Sequence, residues 1–150
     1  GGHLTSTTAT HFDNGDKNST DKVETFSSRP DFTVLVYPVI SLTADYTHQG
    51  SKTNLLGKNP DPRLVKKFSS ELQVNRKTPP AFLVHAGDDT GVPVENSIAY
   101  YKALKENNVT CELHIYNEGG HGFGLAGNIP LTRSWPDLCI KWIKHVAAEQ

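Results

Sequence analysis

The stretch from Phe32 to Ile40 (FTVLVYPVI) constrains this chain more than any other. It is nearly continuous in apolar and β-branched residues. A strand with one face in water alternates apolar and polar residues, and this stretch does not. It reads as a strand covered on both faces, as in a parallel sheet, with Pro38 near its end because proline has no ladder donor. A shorter run of the same kind, Ala81 to His85 (AFLVH), follows Thr78-Pro79-Pro80. A third, Cys111 to Tyr116 (CELHIY), alternates more. Helical patterns separate the strands. Asp61-Pro62-Arg63 opens a short helix, with Asp61 as N-cap, Pro62 at the first helical position, and Leu64, Val65 and Phe68 on its apolar side. Val94 to Asn108 reads as a helix with Ile98, Tyr101 and Leu104 on one face. The last helix begins near Ser134 or Pro136, with Trp135, Leu138, Trp142 and Val146 along one stripe. Strands alternating with helices imply parallel crossovers and an α/β fold. Gly2 to Phe12 is rich in Thr, and propensity alone predicts no helix there. Residues 13–31 and 41–60 read as polar connections.

Composition removes several kinds of function. The 150 residues suit one domain, 1–150, with a sizeable core. A net charge of −1 is not the basic footprint of a nucleic-acid binder and gives no electrostatic attraction to an anionic membrane. No apolar run nears the ~18 residues of a membrane span. The 2 cysteines cannot form a disulfide scaffold, and no CxxC or HExxH spacing offers a metal cage. Two buried thiols, Cys111 and Cys139, are expected. Gly122 to Gly127 matches G-x-G-x-x-G, but Pro130 follows too soon for a dinucleotide site. With no Met and an abrupt Gly1-Gly2-His3-Leu4 start, the chain reads as a processed product or a piece of a longer protein.

In parallel α/β sheets, reactive groups gather in loops past the carboxyl ends of the strands. Two such loops stand out. Ala86-Gly87-Asp88-Asp89-Thr90-Gly91-Val92-Pro93 follows the second strand, and a carboxylate there could fix the tautomer of an imidazole. The same residues could equally form a solvated turn that caps the next helix. Asn117-Glu118-Gly119-Gly120-His121-Gly122 follows the third strand and sets one His among glycines, which leave space around the ring. A surface His in a flexible loop is the other reading. Taken together, an acid and a His at the ends of neighbouring strands make the later two-thirds of a nucleophile–acid–His order. His85 reads as a hydrogen-bonded structural histidine.

The start GGHL then resembles the tail of a G-x-S-x-G-G-H-L elbow. With LVYPVIS at 35–41, NLLG at 54–57, TPPAFLVHAGDD at 78–89, VPVENS at 92–97 and ELHIYNEGGHGFGL at 112–125, the chain resembles the C-terminal half of an α/β-hydrolase. The group it is most similar to is that of bacterial esterases related to acetylxylan esterases, some labelled xylanases. The resemblance spans nearly the whole chain. It implies that Asp89 is the triad acid, with Asp88 as fallback, and that His121 is the base. It implies a serine nucleophile upstream of Gly1. The N-terminal strands, the elbow and half of the oxyanion hole would then lie in a missing N-terminal half, covalent or a second chain, and these 150 residues alone would be inactive.

The implied activity is a serine carboxylesterase on short acyl esters, such as acetylated sugars or xylan. It needs no metal and no organic cofactor; the partners are a small-molecule or sugar ester and the upstream half, with no nucleic acid and no membrane. Such an enzyme fits a periplasmic or extracellular place, although the sequence leaves the compartment open. Two alternatives stay open: a serine peptidase of the prolyl-oligopeptidase type, and a non-catalytic truncated hydrolase module.

Overall fold

The computed structural model describes residues 1–148. Three parallel strands, β1 (Thr33–Val36), β2 (Ala81–Ala86) and β3 (Cys111–Tyr116), lie in the order β1-β2-β3. Thr33 pairs with Ala81, and Ala81 with Cys111, so the carboxyl ends of β2 and β3 finish level at Ala86 and Tyr116. Among the described residues there are five α-helices: α1 (Gly2–Thr10), α4 (Glu95–Glu106) and α5 (Trp135–Ala148) pack on the strands, and α2 (Gln49–Leu56) and α3 (Pro62–Lys67) pack on each other.

The central strand explains its unalternating sequence, since every residue of β2 is buried. Ala81 and Leu83 point to one face and join Leu35, Tyr100 and Leu104 under α4. Phe82 and Val84 point to the other and join Trp135, Cys139, Trp142 and Val146 under α5. Each large side chain so buried contributes roughly 1.5–3 kcal/mol of transfer free energy. β3 forms an edge and is mostly half-buried, as its alternation suggests.

The apolar run at 32–40 is not one long strand. Regular pairing ends at Val36, because Tyr37 takes φ 40° and Pro38 follows. Tyr37 N–H still reaches Val84 O (2.8 Å). Beyond it, the Oδ1 of buried Asn96 accepts from the N–H groups of Ile40 (2.9 Å) and Ser41 (3.1 Å). Those backbone groups are thus satisfied without a ladder. Val39 and Leu42 then pack with Val65 and Val92 in a third cluster.

Two further expectations need correction, at 41–60 and in α4, and the first helix departs from propensity. Residues 2–10 are helical despite five threonines and serines in the segment, because α1 packs on β1 and tertiary burial overrides propensity. Thr7, Thr8 and Thr10 bond back to the carbonyls of His3, Leu4 and Ser6, and so stay satisfied inside the helix. A Cβ on Gly2 would lie 2.6 Å from Pro38 Cα, so glycine permits this close approach. The connection at 41–60 contains α2, which buries no residue and therefore carries no apolar periodicity. In α4 the fully buried aromatic is Tyr100, one position before the expected Tyr101; Asn96, Tyr100 and Leu104, four apart, form the inner stripe. Asp61 does cap α3, accepting from Arg63 N–H at 2.8 Å. Both cysteines are free thiols as expected, but only Cys139 is buried; Cys111, on the edge strand, is half-buried.

Candidate active site

The turn after β2 is built around Asp89, whose side chain is completely buried. Its Oδ1 accepts from the N–H groups of Gly91 (3.0 Å) and Val92 (2.8 Å). Its Oδ2 accepts from His121 Nδ1 (2.8 Å), 32 residues away, and from His85 Nε2 (3.2 Å). All four partners are N–H donors. Burial alone would raise the Asp89 pKa, but the Val92 N–H, the His121 bond and the nearby imidazoles outweigh it. The carboxyl therefore lies below its ordinary range and is ionised at neutral pH. Asp89 does not cap α4, whose N-cap residue Val94 has no side-chain partner.

Asp88 has a different task. It is exposed, and its Oδ1 accepts from Gly120 N–H at 2.8 Å. The fallback acid thus anchors the His-bearing loop, while its neighbour meets the imidazole. Gly120 (φ 60°) and Gly122 (φ 84°) flank His121 in the left-handed region, where an L side chain is strained. These two angles swing His121 back over the β2 turn.

With Nδ1–H donating to Asp89, the other ring nitrogen of His121 carries a lone pair. Among the described residues Nε2 has no hydrogen-bond partner, and the side chain is 46% exposed. It borders a cavity of about 600 Å³ whose walls include Gly1, Gly2, Tyr37, His48 and Ser51. The arrangement is an imidazole held by a buried carboxylate, with its free nitrogen open to a ligand, which is the geometry of a general base.

Sequence reasoning singled out Asp89 and His121, which the structure brings together, and read His85 as a hydrogen-bonded structural histidine without linking it to the pair. It missed Tyr37 and His48. The Tyr37 ring meets His121 edge-on (centroids 4.9 Å, 63°) and Phe123 likewise (4.8 Å, 84°). Its φ of 40° is uncommon for a bulky residue and aims the ring at the imidazole rather than along the strand. No sequence signal gives that angle; the tyrosine followed by proline at the end of an apolar run marks only where the strand must stop. His48 caps α2, accepting from Ser51 N–H (3.2 Å) through Nδ1. Among the described residues no three His, Cys, Asp or Glu side chains gather as metal ligands.

Similar sequences and the same fold occur in known proteins. The chain is 39% identical over 130 residues to an acetylxylan esterase of Xylanibacter ruminicola, covering 84% of this chain and 25% of that protein. It is 38% identical over 128 residues to the endo-1,4-beta-xylanase B of Butyrivibrio fibrisolvens, covering 85% of this chain and 20% of that one. The chain therefore spans about a quarter or less of these relatives. Among solved structures, an acetyl ester-xyloside bifunctional hydrolase from Caldicellulosiruptor lactoaceticus superposes with a TM-score of 0.94 at 53% identity, over 97% of this chain and 53% of that one. The carboxylesterase Cest-2923 of Lactobacillus plantarum superposes at 0.74 with 22% identity over 97% of this chain and 55% of that one, which speaks for the α/β-hydrolase fold alone. The match to a family model runs from residue 25 to 149, through the loops of both Asp89 and His121, and on that ground the chain belongs to the prolyl oligopeptidase family.

Proposed function

We propose that this chain supplies the acid and the base of a serine carboxylesterase acting on short acyl esters, and on acetylated sugars or xylan in particular. One observation carries the reading: His121 Nδ1 meets the buried Asp89 carboxylate at 2.8 Å while its other nitrogen borders a cavity. The names of the relatives support acetyl esters of xylan-type sugars as the substrate class. The nucleophile is a serine on the segment that precedes Gly1. Gly1 and Gly2 border the same cavity as His121, so a residue just before them arrives beside the imidazole. On this reading residues 1–150 are the C-terminal portion of one hydrolase domain, and the upstream half is their covalent or second-chain partner.

In the reaction, the serine hydroxyl attacks the ester carbonyl as His121 Nε2 takes its proton. Asp89 holds the ring in the Nδ1–H tautomer and stabilises the imidazolium that forms. His121 passes the proton to the leaving alcohol, and water then releases the acyl group by the same exchange in reverse.

The test uses the polypeptide that carries this chain together with its upstream segment. A fluorophosphonate should tag one serine, and release of acetate from acetylated xylan should fall at least 10³-fold in His121→Ala. Near-normal hydrolysis by that variant sinks the reading. The family description favours a second substrate class, peptides. Hydrolysis of a proline-containing peptide faster than acetyl ester, by the same tagged serine, would select it.

A further inference from the structure

His85 is fully buried at the end of β2, and every polar atom of its ring is engaged. Its Nε2 lies 2.9 Å from Val92 O, a carbonyl that can only accept, so Nε2 carries a proton. The same proton is shared with Asp89 Oδ2 at 3.2 Å. Nδ1 lies 2.8 Å from Ser97 Oγ on α4, and in the neutral ring it accepts from that hydroxyl. Burial pushes the His85 pKa down, against the Val92 and Asp89 contacts that raise it. The ring is thus a neutral donor with a fixed tautomer, bracketed by two elements. A merely space-filling residue would need none of these contacts.

We propose that His85 is a positioning residue for the acid–base pair: held as the Nε2–H tautomer, it orients the Asp89 carboxylate and lowers the proton affinity of His121. The proposal rests on the catalytic reading of Asp89 and His121. Its physics is a competition. Oδ2 accepts from two imidazoles, and each donor drains negative charge from the oxygen that holds the other. Removing the His85 donor concentrates charge on Oδ2, stabilises protonated His121, and moves the base toward being occupied at working pH. Other groups around His121 are Tyr37 from the end of β1, in ring contact, Asp88 through Gly120, and His3 of α1 and His48 ahead of α2, which border the same cavity. The substitutions below leave all of them in place.

Imidazole ¹⁵N and ¹³C spectra of the full-length protein supply the first readout, without any variant. His85 should show a protonated Nε2 and a bare Nδ1. A proton on Nδ1 overturns the proposal. The second readout is the His121 midpoint in His85→Phe and His85→Gln. Phe removes the donor, so the midpoint should rise by about half a pH unit or more; the amide N–H of Gln should bring it back. The acid limb of kcat/KM should move with it, with kcat reduced and KM little changed. Equal midpoints in all three proteins, within about 0.1 unit, overturn the coupling. Should the native protein cleave no ester while the midpoint still moves, the catalytic reading falls and the coupling between the two imidazoles stands.

Discussion

Replacing Asp89 by Asn changes one atom and forces a choice. Four N–H groups converge on the carboxylate, from Gly91 and Val92 on Oδ1 and from His121 and His85 on Oδ2. An amide has one acceptor oxygen and one NH₂, so the NH₂ must face two donors wherever it is placed. Facing Gly91 and Val92 it meets backbone groups that cannot turn away. Facing the imidazoles it meets one ring that can respond, because His121 can move its proton to Nε2 and accept at Nδ1. His85 cannot, since Nε2 must go on donating to Val92 O. The second arrangement is the cheaper one, and it converts the base nitrogen into a donor. Stability should fall by about 2–4 kcal/mol, the scale of losing a buried charge-assisted bond and leaving a donor opposed. With a urea m-value of about 2 kcal/mol/M, the midpoint should drop by roughly 1–2 M. Ester hydrolysis should fall on the order of 10⁴-fold in kcat, as for a triad left with the wrong tautomer. The assays are urea unfolding followed by tryptophan fluorescence, and acetate release by the full-length protein. Asp88→Asn is the control, since its amide oxygen can still accept from Gly120 and both losses should be small. An Asp89→Asn protein with a native midpoint and hydrolysis within tenfold of native would refute the reasoning, as would a greater loss of hydrolysis in Asp88→Asn.

Other outcomes follow from burial and backbone geometry. The folded chain holds His85 below its ordinary pKa, whereas an unfolded imidazole takes up a proton near ~6.5. His85 therefore contributes stability that is fully present above about pH 6.5 and is lost as pH falls toward its folded pKa, by up to ~1.4 kcal/mol per unit. Urea midpoints from pH 7.5 to 5 should show this slope and His85→Gln should flatten it; parallel profiles would count against it. Gly120→Ala and Gly122→Ala meet no atom within 4 Å, so their cost is that of an L residue at φ 60° and 84°, about 1–2 kcal/mol each by thermal unfolding. Losses under ~0.3 kcal/mol at both would show that the loop does not need those angles. Gly2→Ala should cost about 1–3 kcal/mol, because its Cβ meets Pro38 backbone at 2.6 Å, while Gly1→Ala, with nothing within 4 Å, should be neutral; equal effects would dissociate α1 packing from that contact.

The parts of this fold that were legible in the sequence are those whose residues answer to their immediate environment. Ala81 to His85 is apolar throughout because both faces of β2 are covered. The acid and the base were readable because strand ends are where a parallel sheet presents loops, and because Gly120 and Gly122 mark a backbone that only glycine takes easily. What sequence hid was decided at a distance. The Thr-rich α1 is held by packing on β1 rather than by propensity. The polar α2 has no fully buried residue and turns only Leu56 partly inward, so no pattern announces it. Tyr100 and Tyr101 are chemically alike, and only the rotation of α4 chooses which enters the core. The role of Asp88 depends on a contact with Gly120, 32 residues on, that no local pattern records. Tyr37 is the sharpest case: its backbone angle points a ring at His121, and nothing in its neighbours' identities requires it.

The contrast between the two loops has a dynamic meaning. Asp89 sits in the turn just past β2, its side chain completely buried and held by four N–H groups, and the strand that carries this turn is buried along its whole length. His121 stands on a glycine-flanked segment tied back through Gly120 N–H and its own ring. Native proteins open in units of unequal free energy, and a segment with few buried contacts opens first. Amides of β2 should therefore exchange with solvent deuterium at the slow, global limit, while those of residues 119–124 exchange by a local excursion that leaves the sheet folded. The acid is a fixed post, and the base is a gate hung on it, able to swing clear and re-seat without unfolding the sheet.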